Sequence, residues 1–490
     1  MKSQNMMSNN VGEMTISELA EGYRYRHFSI RETVRHYLER IAKLDEGLGT
    51  FITVCKETAL REAEKLDEGL SRGGDIGLLG GIPLVVADNI CTRGIRTTCA
   101  SRALEDFVPS YDAAAVERLK AAGALIIGKT GLNEFAIGAS TEGTAHQAAC
   151  FFGNLRKGSR AYGDLTCGSA AALAAGFAPL ALSSGTRGAV TLSAAFYGLV
   201  GLKPTCGAVS RYGLIPFTST LDQIGLMARD TRDCALAFQI IRNNVNTSDT
   251  EELSKGVEGL RIGIPKELTE CIREQNQELA AAIHKAIRIY ERLGAEVGEM
   301  SLPPADGCLS AYEIIASAEA GSNLARYDGM HYGYCSDMPP DEAEHNLNEM
   351  IIRSRTESFG MEVKRCIILG TYVLSTEHGA ACLRKAVQVR RRVQNAWKEA
   401  FRHCDLMLLP VLSDSNGFSV TDGYAMMMDM AGIPAVTVPC GFSSSALPIG
   451  LQLAADHYKE GRLLRAAYSL EQELALTGFR PVWKEADRFV

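Results

Sequence analysis

The stretch Ala113-Ala-Ala-Val-Glu-Arg-Leu-Lys-Ala-Ala-Gly-Ala-Leu-Ile-Ile-Gly128 joins a helix pattern directly to a short apolar strand. The same order of helix and apolar run recurs at residues 279–294 with the segment that follows, and again at 390–404 with 406–409. Short apolar runs bounded by glycine are typical of buried strands. Helices that alternate with buried strands predict an α/β fold with a mixed or mostly parallel sheet.

Other segments extend this pattern along the chain. Apolar runs at residues 82–86, 435–438 and 449–453 predict further strands, and residues 461–474 predict a closing helix. The most apolar stretch is Ala170–Leu182. Because a transmembrane helix needs about 20 apolar residues, we interpret this stretch as a buried core helix.

The N-terminal part of the chain predicts a helical arm. Thr15-Ile-Ser-Glu18 and Ser29-Ile-Arg-Glu32 both fit the capping box, in which a hydroxyl and a carboxylate satisfy free backbone donors at a helix start. After Ser29, apolar residues recur at helical spacing and predict one buried face. They are Ile30, Val34, Tyr37, Leu38, Ile41 and Leu44.

Composition narrows the class of protein. The chain has 51 basic and 58 acidic residues, a net charge of −7, which argues against a large basic surface for direct nucleic-acid binding. Its 14 cysteines are scattered singly, without a CxxC pair or a histidine cluster at metal-ligand spacing. We therefore predict no metal and no cofactor. Scattered thiols and a polar N-terminus predict a cytoplasmic protein without membrane association.

The division into domains follows from the same patterns. The polar stretch 243–258 is a candidate surface loop or linker, and a new strand begins soon after it. We predict a single domain over residues 12–480.

A run of small residues spans Gly163–Gly213. Glycine and serine before an alanine-rich helix can present backbone N–H groups to an anion. Such runs more often reflect tight packing of a helix on a sheet. Neither GxxxxGK[ST] nor GxGxxG occurs in the run, so it does not predict a nucleotide-binding loop.

Short motifs surround this run in a fixed order. Gly80-Gly-Ile-Pro-Leu-Val-Val-Ala-Asp-Asn-Ile90, Gly128-Lys-Thr130, Glu134–Gly138 and Ser140-Thr-Glu142 precede it, and Gly201-Leu-Lys-Pro204 and Leu221-Asp-Gln-Ile-Gly225 follow it. The series resembles the amidase-signature family. Further matches at residues 326–329, 354–357, 362–365, 369–374 and 432–435 look like the glutaminase (A) subunit of glutamyl-tRNA(Gln)/aspartyl-tRNA(Asn) amidotransferase. The resemblance covers residues 12–480 and implies a mixed sheet flanked by helices, with a helical N-terminal arm.

The resemblance also implies where catalysis would take place, and the chain departs from the family there. The family uses a nucleophilic serine, a relay serine on a cis peptide bond, and a neutral buried lysine as base. The equivalent positions here are Ala189, Leu165 and Ala87. None of these side chains can take up a proton or attack carbon, so the resemblance implies a degenerate triad.

The loop beside the nucleophile position has changed as well. In the family its backbone N–H groups form the oxyanion hole, and the equivalent residues here are Thr186, Arg187 and Gly188. Arg187 replaces a glycine, so a positive φ at that position would be costly.

The family's glutamine pocket implies three binding residues. They are Tyr312, Arg365 and Asp422, of which the arginine would hold a carboxylate and the aspartate an ammonium group. A helix-surface arginine and a solvated loop aspartate remain equally open interpretations of Arg365 and Asp422.

These observations predict a non-catalytic homologue of the glutaminase component. It would act as a scaffold or regulator of B- or C-type partner subunits, or as a binder of a small amino acid or amide. One alternative is an active amidase or glutaminase with a relocated nucleophile, such as Cys167 assisted by His146. Another is a stand-alone sensor of a small molecule.

Overall fold

Eleven strands within the described residues form one mixed sheet. The computed structural model describes residues 11–137, 168–243, 249–302, 307–337, 347–411, 420–444 and 447–475. The strands are β1 (Phe51–Val54), β2 (Pro83–Ala87), β3 (Leu125–Thr130), β4 (Leu180–Gly185), β5 (Val200–Lys203), β6 (Gln223–Ala228), β7 (Arg261–Pro265), β8 (Glu296–Met300), β9 (Leu406–Val411), β10 (Ala435–Phe442) and β11 (Pro448–Ala455).

Sixteen α-helices in the same ranges flank the sheet. They are α1 (Ile16–Arg24), α2 (Ile30–Leu48), α3 (Lys56–Ser71), α4 (Ala114–Ala121), α5 (Gly168–Ala174), α6 (Ala189–Tyr197), α7 (Thr231–Ile241), α8 (Asp249–Glu252), α9 (Lys266–Gln275), α10 (Gln277–Arg292), α11 (Cys308–Asn323), α12 (Leu347–Ser358), α13 (Met361–Ser375), α14 (Glu377–His403), α15 (Val420–Ala431) and α16 (Glu460–Leu474). This arrangement confirms the predicted α/β class.

The single sheet contains both parallel and antiparallel pairs of strands. The order is β1-β3-β2-β4-β6-β5-β10-β11-β9-β7-β8. Strand β2 runs parallel to both β3 and β4, and β7 runs parallel to both β8 and β9, whereas the strands between β4 and β9 pair antiparallel. The parallel trio β3, β2 and β4 brings the carboxyl ends of its strands to the same edge of the sheet.

The N-terminal arm forms as its capping signals predict. Both capping boxes are present, with Thr15 and Ser29 each accepting a hydrogen bond from the backbone of the glutamate three residues later. The apolar face of α2 is buried against the core. The Ile16 N–H donates to Asp233 Oδ2 at 2.8 Å, which fixes the arm against α7.

One segment differs from the sequence prediction, and the predicted loop or linker contains short helices. Ala170–Leu182 is not one helix, because α5 ends at Ala174, Gly176 takes a φ of +70°, and β4 begins at Leu180. A left-handed glycine ends a helix at little steric cost. Residues 249–255, within the predicted loop or linker, form α8 and a 3₁₀ helix in which Asp249 and Leu253 are buried.

The length and apolar content of the described helices bear on whether any of them could span a membrane. No single helix among them is both long enough and apolar enough to cross a membrane. Helices α13 and α14 reach the criterion only as a pair, and they are bent by 100° where they meet.

Candidate functional site

A cavity lies at the carboxyl ends of the parallel strands β2 and β4. Its volume is about 120 Å³, and Ala87, Ala189, Tyr312 and Arg365 are among the residues that line it. Residues 131–137, directly after β3, supply a further wall. The carboxyl edge of parallel strands is the usual position of ligand sites in α/β folds, so we take this cavity as the candidate site.

Two alanines occupy the positions where the resemblance places a lysine and a serine. Ala87 ends β2 and Ala189 begins α6, and both line the cavity. Beside Ala87, the Thr130 and Ser169 hydroxyls share a buried hydrogen bond of 2.7 Å. A methyl group has neither a proton to relay nor a lone pair to attack with, so Ala87 and Ala189 contribute no chemistry here.

A buried lysine lies on the strand next to Ala87 but is engaged elsewhere. Lys129 is on β3, one residue before the residue that pairs with Ala87, and successive strand residues point to opposite faces. Its Nζ donates to the Ile90 carbonyl at 2.7 Å and to Thr97 Oγ1 at 2.8 Å, and lies 3.6 Å from Asp88 Oδ1. Burial lowers the pKa of Lys129, against the attraction of Asp88. Since it does not line the cavity, Lys129 does not replace the missing base in this arrangement.

The loop between β4 and α6 has a strained backbone and engaged donors. Arg187 adopts a φ of +57°, a region that favours glycine. The Gly188 N–H donates to Asp429 Oδ2 at 2.6 Å, and the Arg187 N–H also interacts with this carboxylate. Lys203 pairs with the other Asp429 oxygen at 3.2 Å. Because Asp429 already accepts from the loop, the Gly188 N–H is not free to bind an oxyanion in this conformation.

The Thr186 hydroxyl faces a tyrosine rather than a base. Thr186 Oγ1 and Tyr312 OH are 2.5 Å apart, and both residues line the cavity. Burial raises the pKa of Tyr312, so its phenol stays protonated. A protonated phenol can donate a hydrogen bond to Thr186 or to a ligand, but it cannot activate Thr186 as a nucleophile.

Of the other two predicted binding residues, Arg365 lines the cavity and Asp422 does not. Arg365 lines the cavity from α13, and its guanidinium donates twice to Glu362 Oε2, at 3.1 and 2.9 Å. The Arg365 side chain is 66% exposed, so this pairing is a surface one. Asp422 is buried on α15 and is not among the described residues that line the cavity.

The sequence interpretation missed a thiol in the cavity. Cys366 lines it directly after Arg365 and donates to Ser317 Oγ at 3.5 Å. Burial raises the pKa of the Cys366 thiol, which disfavours the nucleophilic thiolate. The motif matches at residues 362–365 and 369–374 flank Cys366 without including it, so its position in the cavity follows only from the fold. Leu165 and Cys167, which the sequence also singles out, lie outside the described residues.

Neither a cofactor site nor a metal site is evident in the described part of this cavity. Across the described ranges, no group of three or more His, Cys, Asp or Glu residues is arranged to hold a metal ion. The cavity lining instead offers hydroxyls, a thiol, guanidinium groups, the Asn133 amide and the Glu313 carboxylate. Such groups suit a small polar ligand bound by hydrogen bonds.

The mixed sheet flanked by helices and the cavity at the carboxyl ends of β2 and β4 define this chain as an α/β protein with a candidate ligand site at a strand edge. The family model described as Amidase matches residues 32–464, so the chain belongs to the amidase family. This finding confirms the resemblance carried by the sequence motifs.

Individual relatives extend over nearly the whole chain. One is the A subunit of the glutamyl-tRNA(Gln) amidotransferase of Alkaliphilus metalliredigens, which is 47% identical over 497 residues, covering 97% of this chain and 99% of the relative. The chain is also similar to the solved structure of the corresponding Thermotoga maritima protein, with a TM-score of 0.69, 30% identity and 95% of each chain covered. The peptide amidase of Stenotrophomonas maltophilia gives a TM-score of 0.76 at 27% identity, covering 94% of this chain and 97% of that one.

Proposed function

We propose that this protein is a non-catalytic homologue of the glutaminase component of the amidotransferase. In this proposal the protein binds a small amide or amino acid without hydrolysing it, and it acts as a scaffold or regulator of a B- or C-type partner subunit. The observation that carries the proposal is the pair of methyl groups, Ala87 and Ala189, in the cavity. Amide hydrolysis by a hydroxyl needs a nucleophile and a base within hydrogen-bond reach, and neither alanine can serve as one.

The surroundings of the two alanines support the same proposal. Thr186, the nearest hydroxyl in the loop, is bonded to a tyrosine whose phenol stays protonated. The Gly188 N–H donates to Asp429 and not to the cavity. The absence of a nucleophile and its base would by itself lower the rate by many orders of magnitude, because the two act as one unit, and the engaged oxyanion donor removes a further contribution.

Binding can persist where catalysis does not. Tyr312 and Arg365 line the cavity and present a phenol and a guanidinium, which suit the carboxylate of an amino acid. To bind a ligand carboxylate bidentately, Arg365 would exchange its surface pairing with Glu362, which is worth little in water.

The names of the relatives favour a second candidate, an active amidase or glutaminase with another nucleophile. Within the described part of the cavity, Cys366 is the residue with the greatest intrinsic nucleophilicity. Its raised pKa argues against it, but a ligand or a partner could change its surroundings. Cys167, the candidate from the sequence, belongs to the same alternative.

The deciding experiment measures ammonia release from glutamine and asparagine. The purified protein is assayed alone and with amidotransferase B and C subunits, against a heat-treated blank. The positive control is the triple variant Ala87→Lys, Leu165→Ser, Ala189→Ser, with Arg187→Gly added to restore the loop glycine. We expect no release from the natural sequence. Release that disappears in Cys366→Ser or Cys167→Ala would establish the second candidate instead.

Ligand binding is tested separately by thermal unfolding with glutamine, asparagine and glutamate. We expect a ligand-dependent rise in the unfolding midpoint that Arg365→Ala abolishes. The matched control is Arg402→Ala, since Arg402 pairs with Glu399 at the same helical spacing and is 67% exposed. A ligand response in a lone monomer that never co-purifies with a partner would favour the stand-alone sensor over the scaffold.

A further inference from the structure

A second and larger cavity lies outside the candidate site and has an aromatic lining. Its volume is about 640 Å³, which is within the range of small-molecule sites. Tyr111, Tyr327, Tyr332, Tyr334 and Phe107 all line it. It shares no described lining residue with the cavity at Ala87 and Ala189.

Two of these rings, Tyr334 and Tyr111, are held by polar contacts, in part with other residues of the lining. Tyr334 OH donates to Glu357 Oε2 at 2.7 Å, and the Arg102 guanidinium stacks 4.2 Å from the Tyr334 ring centroid. Tyr111 OH accepts a hydrogen bond from Cys91 Sγ at 3.7 Å. Rings held this way need not be ordered when a ligand binds, and preorganisation of this kind favours affinity.

Tyr327 differs from these tyrosines in its hydroxyl. The residue is 8% exposed, and its ring packs against Phe135 and Phe359 at centroid distances of 5.2 and 6.5 Å. Its hydroxyl makes no hydrogen bond to any residue in the described ranges. Burial raises the pKa of Tyr327, so the group is a protonated donor and acceptor. A hydroxyl that lies on a cavity lining without a protein partner can form a hydrogen bond with a ligand bound there.

The cavity lining includes side chains of both charges, among them Arg326, Glu105 and Asp106. Arg326 Nε donates to the Asn323 carbonyl at 2.9 Å, and its guanidinium makes no ion pair within the described residues. Glu105 and Asp106 line the same cavity, are exposed, and make no ion pair in the described ranges. Two guanidiniums, of which that of Arg102 already lies over the ring of a lining tyrosine, and two carboxylates in one lining can meet a carboxylate and an ammonium group of the same ligand.

We propose that this cavity binds a zwitterion that carries an aromatic ring, of the chemical class of free aromatic amino acids and short aromatic peptides. The ring lies among the tyrosines, where aromatic pairs add attraction beyond the buried area. A polar group on the ring reaches the Tyr327 hydroxyl, and the charged groups meet Arg326, Glu105 and Asp106. This site is independent of the function proposed for the other cavity.

The experiment is ligand-observed NMR titration of the full chain with L-tyrosine. Four analogues each lack one group of interest. L-Phenylalanine lacks the ring hydroxyl, tyramine lacks the carboxylate, and 3-(4-hydroxyphenyl)propionate lacks the ammonium group. L-Cyclohexylalanine, compared with L-phenylalanine, lacks the aromatic ring. We expect L-tyrosine to bind most tightly, and each analogue that lacks a charged group or the aromatic ring to bind at least about tenfold more weakly, roughly 1.4 kcal/mol.

Variants assign the binding to this cavity. Tyr327→Phe keeps the ring and should weaken the binding of L-tyrosine about tenfold (about 1.4 kcal/mol). The affinity for L-phenylalanine should change less than about twofold, because this ligand has no ring hydroxyl to bond to Tyr327. Arg326→Gln should weaken both. Tyr25→Phe, at a tyrosine that is 64% exposed elsewhere, is the matched control. The proposal is overturned if L-tyrosine does not bind, if Tyr327→Phe leaves its affinity unchanged, or if Arg365→Ala, in the other cavity, abolishes binding.

Discussion

The lining of the Ala87 cavity and the polar groups directly behind it differ in kind. The lining presents methyl groups at Ala87 and Ala189, and a left-handed arginine in the adjoining loop. Behind it, Asp429 holds the loop backbone and pairs with Lys203, both almost fully buried. The lining is where a reaction would be performed, whereas the groups behind it hold the walls in position.

A second contact behind the lining repeats this arrangement. Asp222 Oδ2 accepts from the backbone N–H groups of Phe217 and Thr218, at 2.9 and 2.8 Å, and Phe217 lines the cavity. We call Asp222, Asp429 and Lys203 the buried polar support. We expect the support to contribute more to the stability of these walls than the lining residues do, because removing one partner of a buried ion pair leaves a buried charge unpaired. Substitutions on each side can test that difference.

The largest effect is expected from removing one partner of the buried ion pair. Asp429→Ala leaves Lys203 uncompensated in a site where its side chain is 4% exposed. Breaking a buried pair from one side costs about 3–5 kcal/mol in the free energy of unfolding, which urea denaturation measures. Glu399→Ala, which breaks an exposed pair with Arg402, is the control and should change stability little.

Removing both partners sharpens this prediction. The double variant Lys203→Met, Asp429→Leu leaves no charge at this pair, so it should recover a large part of the loss seen in Asp429→Ala. If the single variant instead matches the exposed control, Asp429 is not part of a support for the cavity walls.

The next effect concerns the pH dependence of stability. Burial raises the pKa of Asp222 from 3.8 to about 7. The folded state then holds a proton that the unfolded state releases, so the favourable contribution is complete below about pH 4 and is lost as the pH rises to about 7. The slope from this group is at most about 1.4 kcal/mol per pH unit.

Asp222→Asn isolates that contribution. Its amide oxygen can accept the same two N–H bonds without titrating, so the variant should lose this part of the slope between pH 4 and 7. Unfolding midpoints at several pH values, compared with the natural sequence, provide the measurement. Parallel pH profiles for the two proteins would mean that Asp222 titrates normally and does not support the wall as a neutral group.

The sequence predicts local elements, such as the N-terminal helices, better than it predicts the cavity. Helix α2 and its capping box were correct because both depend on residues a few positions apart. The interpretation of residues 170–182 as one helix was wrong because apolar content alone does not separate a helix from a buried strand. Here the left-handed Gly176, before Pro179 and β4, decides between them.

The cavity was harder to predict because its walls come from distant segments. Tyr312, on α11, meets Thr186 across 126 positions of the chain. The role of Asp429 as acceptor for the loop depends on a contact across 241 positions. No local pattern encodes such contacts. The pairing of Arg365 with Glu362 was within reach, since residues three apart on a helix are neighbours.

A smaller effect is expected at the strained loop residue. Arg187→Gly removes the steric cost of a φ of +57° and should stabilise the protein by about 0.5–1 kcal/mol, after the higher entropy of unfolded glycine is counted. Arg187→Ala removes the same side chain but keeps the Cβ, so it should not stabilise. Equal gains in both variants would show that the arginine side chain, and not the backbone conformation, is the source of strain.

The smallest effect is expected at Ala189 itself. This residue is half-buried at the cavity, so the hydroxyl of Ala189→Ser has space and solvent, and the free energy of unfolding should change by less than about 0.5 kcal/mol. The matched control is Ala195→Ser on the same helix, where the side chain is 2% exposed and a hydroxyl should cost about 1–3 kcal/mol. Urea denaturation distinguishes the two. A similar loss in both variants would place Ala189 in the packed core rather than on the lining. A small loss at Ala189 without ammonia release would show that the position tolerates a serine that cannot act alone, because the base position is still Ala87.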